Sequence, residues 1–102
     1  MDVEKLKQTT LTQAPAEKAF WSRSGHVITN VKDLAEVVES MEPAHFQHHI
    51  AADKGHSDFA AWVKDVFENH YLSNDLTLQK NLEDQQHCAK TNRDHLSWLE
   101  HA

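Results

Sequence analysis

The strongest pattern of hydrophobic and polar residues lies directly after Ser57. Five apolar residues recur there at i, i+3, i+4, i+7 and i+8, namely Phe59, Trp62, Val63, Val66 and Phe67. This spacing predicts an amphipathic helix whose apolar face lies on the core. Ser57 and Asp58 are both suitable N-cap residues for it. Because a large aromatic side chain buries roughly 150–250 Å², we expect Phe59 and Trp62 to be structural residues, and Val66 lies on the same apolar stripe and is expected to be structural as well.

A second apolar stripe follows Asn30, another suitable N-cap. Its members are Leu34, Val37, Val38 and Met41. They predict a helix that ends before Pro43, and Pro43 is suited to the first turn of the next helix. In that short helix Phe46 and Ile50 lie one turn apart.

A fourth helix is predicted to begin at Ser73 or Asn74 and to continue to Leu82. Beyond Leu82 the apolar stripe is interrupted by Gln85 and Asn92. We expect residues 83–102 to form a polar helical extension that either frays or packs against another chain, with the polar residues fixing the register.

The N-terminal part of the chain predicts a different structure. Phe20-Trp21 and Val27-Ile28 flank a Ser24-Gly25 turn signal and favour a small β-hairpin. Residues 1–19 are rich in Thr and Gln and predict a loosely ordered arm that includes a short helix at 3–8. The predicted fold is therefore mostly α (α+β), with an N-terminal hairpin packed on about four helices and an extended last helix. Residues 20–82 are the expected compact domain.

Residues 20–82 resemble a small archaeal and bacterial domain family of unknown function. The segments that carry the resemblance are "FWSRSGHVI", "VKDLAEVVESM", "FQHHI", "SDFAAWVKDVF" and "LSNDL". The family pattern reads Phe-x-x-His-Val and then Asn-Asp-Phe-x-x-Trp-Ile/Val-x-Asp-Val. Matching positions hold His49, Asp58, Phe59, Trp62, Asp65 and Val66, whereas Ser57 replaces the usual Asn. The resemblance implies a compact fold of a hairpin and helices, and it implies no activity.

Composition restricts the classes of function. The chain has 102 residues and a net charge of −6, and its excess acid is spread along the sequence. This argues against nucleic-acid binding through a basic face. No segment is apolar and long enough for a signal peptide or a membrane span. Cys88 is the only cysteine, so an intrachain disulfide is impossible and a cytoplasmic location is expected.

Four histidines lie close together in the sequence: His45, His48, His49 and His56. His45 and His49 share one helix face and, with His48, His56 and Asp58, could bind a divalent ion such as zinc. The favoured interpretation is structural. His49 lies at the boundary of the core, where its imidazole is expected to hydrogen-bond a backbone carbonyl or Asp58, so no cofactor is expected.

Other reactive side chains favour structural roles as well. Asp58 is expected to cap the helix that follows it, where its carboxylate accepts backbone N–H groups and suits the helix dipole. Cys88 and His87 are adjacent in a helix and point about 100° apart, so an inert thiol is expected. No catalytic arrangement is evident, and we expect no enzymatic activity.

The sequence favours a non-catalytic protein-interaction module. Leu96, Trp98 and Leu99 are the predicted contact residues, because exposed Trp and Leu on a polar helix are typical of interfaces. Their partner is another protein, or a second copy through the C-terminal helix. Two alternatives remain: a metal- or pH-responsive binder that uses the histidines, and a small bacterial or phage inhibitor or effector.

Overall fold

A computed structural model describes residues 2–102, and within that range the chain forms seven α-helices and two antiparallel pairs of short strands. In chain order they are α1 (Val3–Thr10), β1 (Phe20–Trp21), β2 (Val27–Ile28), α2 (Val31–Ser40), α3 (Pro43–His48), β3 (Ile50–Ala51), β4 (His56–Ser57), α4 (Asp58–Phe67), α5 (His70–Leu76), α6 (Gln79–Glu83) and α7 (Gln85–His101). The predicted mostly α fold with a small hairpin is confirmed. The second strand pair, β3 with β4, was not predicted.

The caps explain where the central helices begin. Asn30 caps α2, because its Oδ1 accepts the N–H of Asp33 at 2.7 Å. Ser57 caps α4 by accepting the N–H of Ala60 at 3.2 Å. The prediction that Asp58 caps this helix is therefore wrong: Asp58 is its first residue, and its carboxylate has other partners.

Helix α5 begins earlier than the sequence predicted. Glu68 adopts a left-handed conformation with φ of 54° and ends α4. Asn69 then caps α5 by accepting the N–H of Leu72 at 2.9 Å. Ser73, a predicted cap, lies inside the helix, and its hydroxyl donates to the carbonyl of Ala60 at 2.9 Å. This bond joins α5 to α4.

The core is built around α4. Phe59 is fully buried, and its ring lies 5.4 Å from that of Phe20 and 6.0 Å from that of Phe46. Trp62 contacts Phe67 edge to face at 5.0 Å. One apolar cluster joins these rings to residues of α2, α5 and α7. Val66 is partly buried and packs against it.

Helix α7 belongs to this core, which corrects the prediction of a polar extension over residues 83–102. Cys88, Ala89, Asn92 and Leu99 are all buried. Gln85, which interrupts the apolar stripe, donates its amide to the carbonyls of Val38 at 2.8 Å and Met41 at 2.7 Å. These acceptors lie at the C-terminal end of α2, where helix carbonyls lack partners within the helix.

The N-terminal segment is also more ordered than predicted. Helix α1 buries Leu6 and Thr10, and Thr10 Oγ1 accepts a hydrogen bond from Asn69 at 2.9 Å. Further along, the indole of Trp62 donates to the backbone carbonyl of Lys18 at 2.8 Å. Residues 2–19 and 83–102 therefore pack with residues 20–82 around one core.

Candidate functional site

The imidazole of His49 connects the hairpin turn to α4. His49 follows α3 and is only 6% exposed. Its Nε2 accepts the backbone N–H of Arg23 at 3.0 Å. A nitrogen that accepts a hydrogen bond carries no proton in neutral imidazole, so the proton lies on Nδ1. Nδ1 donates to Asp58 Oδ2 at 3.0 Å, and both ring nitrogens are thus occupied.

Asp58 joins a second histidine to the same cluster. Its Oδ1 lies 2.8 Å from Nε2 of His56, and its backbone N–H donates to the carbonyl of His49 at 2.9 Å. Burial raises the pKa of the Asp58 carboxyl, but hydrogen bonds and electrostatic attraction from His49 and His56 outweigh this effect and lower that pKa below its ordinary value. Asp58 is therefore a carboxylate held between two imidazoles.

The predicted metal ligands are only partly brought together. His48 lies beside His49, with ring centroids 5.1 Å apart, while Nδ1 of His45 is buried without a hydrogen-bond partner. Across residues 2–102, no group of three or more His, Cys, Asp or Glu side chains is arranged to hold an ion. An ion at His49 would also displace its bonds to Arg23 or Asp58. Zinc binding stays a prediction.

Cys88 is a buried thiol. Burial raises its pKa to about 12, so it stays protonated at neutral pH. The neighbouring His87 points its Nδ1 towards Asn81. The Nε2 of His95, another residue of α7, lies 2.8 Å from the amide of Asn69. Both histidines thus have partners other than the thiol.

Two adjoining cavities, of about 520 and 310 Å³, lie beside α2 and α7, and the larger one is also lined by residues 10–13. Leu96 lines both of them, together with Lys32, Glu36 and Glu100. Charges of both signs line these cavities, and they are separate from the histidine cluster. Leu96 is therefore a groove residue that is partly buried against the core.

The other predicted contact residues differ in exposure. Trp98 is 43% exposed, and its ring lies 5.6 Å from that of His95. Leu99 is fully buried, because α7 packs along α2 and α1. The expectation that Leu99 is an exposed contact residue is wrong. Self-association through the C-terminal helix stays a prediction that rests on Trp98.

A more exposed apolar surface lies on the N-terminal hairpin. Trp21 and Val27 are opposite each other in the two strands, and they are 74% and 46% exposed. Their neighbours Phe20 and Ile28 form the adjacent pair and are buried. We call the Trp21–Val27 pair the hairpin face. Sequence reasoning missed it, although strict alternation in a hairpin directs one apolar pair inwards and the next outwards.

The turn of this hairpin is well defined. Ser22 and His26 continue the pairing through an N–H···O bond of 2.9 Å, and the N–H of Gly25 donates to the carbonyl of Ser22 at 2.9 Å. Gly25 has a φ of +92°, a region that L side chains rarely adopt. The three-residue loop and its glycine are typical of hairpins with a bulge.

Comparison with known proteins gave no match to a family model, to a curated protein or to a solved structure. The resemblance of residues 20–82 to a small domain family therefore stays a prediction. No helix in the described part of the chain combines the length and apolar character required to cross a membrane.

Proposed function

We propose that this chain is a non-catalytic protein-interaction module that binds another protein through the hairpin face. The observation that carries the proposal is the exposure of Trp21 and Val27 side by side. Tryptophan is enriched at protein interfaces and among the residues that dominate binding energy. Covering it removes a large apolar area from water, at roughly 25 cal/mol for each Å² buried.

The hairpin is held firmly enough to present this pair. Beneath it, the ring of Phe20 lies 5.0 Å from His49, 5.4 Å from Phe59 and 5.7 Å from Trp62. At the far end of β2, the carbonyl of Thr29 accepts the N–H of Ala14 at 2.6 Å. A surface that is already ordered loses less conformational entropy when a partner binds.

The histidine cluster has a supporting role in this proposal. His49 holds the N–H of Arg23, two residues beyond Trp21, and Asp58 holds His49. The cluster thereby fixes the turn next to the hairpin face. Cytoplasmic location is part of the proposal and rests on the single cysteine of the sequence.

Site-specific photo-crosslinking in the native host tests the proposal. A photoreactive amino acid at Val27 is expected to give a discrete covalent adduct with one partner protein, because the side chain at that position faces the bound partner. The matched control carries the same amino acid at Leu78, which is 58% exposed and outside the hairpin. Adducts at Leu78 and none at Val27 would show that the partner binds elsewhere.

A further inference from the structure

The hairpin segment itself carries positive charge only. The net charge is −6, yet residues 18–30, which include the hairpin, contain Lys18 and Arg23 and no aspartate or glutamate. Lys18 and Arg23 precede and follow Trp21 by three and two residues, and both are exposed. The hairpin is therefore a locally basic segment on an acidic protein.

These two cations are also unpaired within residues 2–102. Four other basic residues there form ion pairs, namely Lys7 with Glu4, Lys80 with Asp84, Lys90 with Asp94 and Arg93 with Glu39. Neither Lys18 nor Arg23 has a carboxylate within ion-pair distance among the described residues. His49 accepts the backbone N–H of Arg23. This bond fixes the backbone position from which the Arg23 side chain extends.

We propose that the partner of the hairpin face is an acidic protein segment, in which an apolar side chain is flanked by Asp or Glu. The apolar side chain would cover Trp21 and Val27, while the carboxylates pair with Lys18 and Arg23. This inference rests on the proposed function, since it names the class of partner for the same surface.

Electrostatics favour this partner over others. An acidic segment is attracted to the hairpin and repelled by the remaining surface of a chain with net charge −6. The distribution of charge therefore favours both an acidic partner and its binding at the hairpin. A basic partner would instead be drawn to the rest of the surface. A single-stranded nucleic acid could stack on Trp21, but such ligands require a groove whose positive charge follows several phosphates.

Selection from random peptides tests the partner class. Random dodecapeptides displayed on phage are selected on the purified full chain, and the enriched sequences are synthesised for affinity measurement. We expect peptides with Asp or Glu beside an aromatic or aliphatic residue. Their affinity should fall at least about tenfold with Trp21→Ala, as for an interface hot spot, and should fall as salt is raised.

Variants that remove positive charge separate the electrostatic contribution to peptide binding from the apolar contribution. The double variant Lys18→Gln and Arg23→Gln should weaken peptide binding about fivefold, as expected for the loss of two exposed ion pairs. The matched control is Lys54→Gln with Lys64→Gln, two exposed lysines that also form no ion pair among residues 2–102 and that lie outside the hairpin. Since Trp21→Ala could loosen the strands, Val27→Thr provides a second test of the apolar contact.

The possible results of the peptide selection distinguish the acidic partner from the proposed function. Peptides that are neutral or basic, yet depend on Trp21 and Val27, would overturn the acidic partner and leave the proposed function standing. Peptides that bind independently of both residues, or no enrichment, would overturn both proposals. Tighter binding of oligo(dT) than of any selected peptide, with the same dependence on Trp21, would identify a nucleic-acid surface and overturn the acidic protein partner.

Discussion

The side-chain amide of Gln85 lies 2.8 Å from the backbone carbonyl of Val38. A residue at the start of α7 thus supplies a hydrogen-bond donor to the C-terminal end of α2. The next residue repeats the contact, since the amide of Gln86 lies 3.2 Å from the carbonyl of Glu39. The two helices are joined by these polar bonds at this end, and further along by buried side chains and by the ion pair of Arg93 with Glu39.

Removal of α7 is expected to unfold the chain. Truncation after Leu82 deletes Cys88, Ala89 and Leu99, all of which are buried, and it leaves the carbonyls at the end of α2 without partners. Loss of these side chains, together with exposure of the α2 surface that they cover, costs an amount comparable with the roughly 5–15 kcal/mol that typically stabilises a domain. Circular dichroism should show no cooperative thermal transition. A truncated chain that melts cooperatively would show that α7 is dispensable.

Substitution of Gln85 tests the polar contact alone. Gln85→Leu should lower the free energy of unfolding by roughly 1–3 kcal/mol, because two partly buried carbonyls lose their donor. Gln79→Leu is the matched control, since the Gln79 amide bonds only to exposed Glu83. Urea denaturation measures both, and equal effects at the two positions would contradict the capping role.

Replacement of His49 should destabilise the hairpin turn together with the core. His49→Ala removes a buried ring and its bonds to Arg23 and Asp58, and we expect a loss of roughly 2–4 kcal/mol. The adjacent His48 is exposed, so His48→Ala should change stability by less than about 0.5 kcal/mol. Amide hydrogen exchange offers a second measurement, because the N–H of Arg23 should lose its protection only in His49→Ala.

Stability is expected to fall in mild acid because of His95. Burial lowers the pKa of His95 below its ordinary 6.5, with the charge of Asp75 acting in the opposite direction. Between the lowered folded pKa and the unfolded one, the unfolded state binds more protons, so the free energy of unfolding decreases as pH falls. The loss begins near pH 6.5 and stops below the folded pKa. His95→Gln should flatten this part of the pH profile in urea titrations, and an unchanged slope would assign the loss to other groups.

The thiol of Cys88 should be unreactive in the folded protein. It is fully buried, so a reagent cannot reach it. Its pKa is raised to about 12, so the thiol stays protonated and the reactive thiolate does not form at neutral pH. Reaction with a disulfide reagent at mildly alkaline pH should proceed only at the rate of unfolding. The variant Ser97→Cys places a thiol on the exposed side of the same helix and should react at once. Fast reaction of Cys88 in the native chain would require an open path to the core.

The spacing of apolar residues was sufficient to predict a helix where one face of that helix is apolar throughout. The stripes of α2 and α4 predicted both helices and most of the core, and the Ser-Gly turn predicted the hairpin. Helix α7 was misjudged, because Gln85 and Asn92 lie inside a packed structure. Gln85 donates to α2, and the amide of Asn92 donates to the carbonyl of Cys88 at 3.0 Å. Nothing in the local pattern indicates that Gln85 finds acceptors on another helix or that the amide nitrogen of Asn92 is satisfied within its own helix.

The candidate site was predictable only in part. The contact between His49 and Asp58 was one of two alternatives named from the sequence, the other being a bond from His49 to a backbone carbonyl. The second partner of His49 is the backbone N–H of Arg23, which side-chain chemistry does not reveal. The short helix expected at 3–8 is α1, but its packing on the core was not predicted, because only Leu6 and Thr10 are buried along it, too few to give a periodic signal.

The three tryptophans of this chain differ in exposure: Trp62 is 9% exposed, Trp98 43% and Trp21 74%. A soluble quencher such as acrylamide should therefore reduce the fluorescence of Trp21 most strongly and that of Trp62 least. A ligand that covers the hairpin would shield the most accessible emitter and shift its emission to the blue. The fluorescence of Trp21 therefore reports whether a ligand covers the hairpin, and a binding titration needs no added dye.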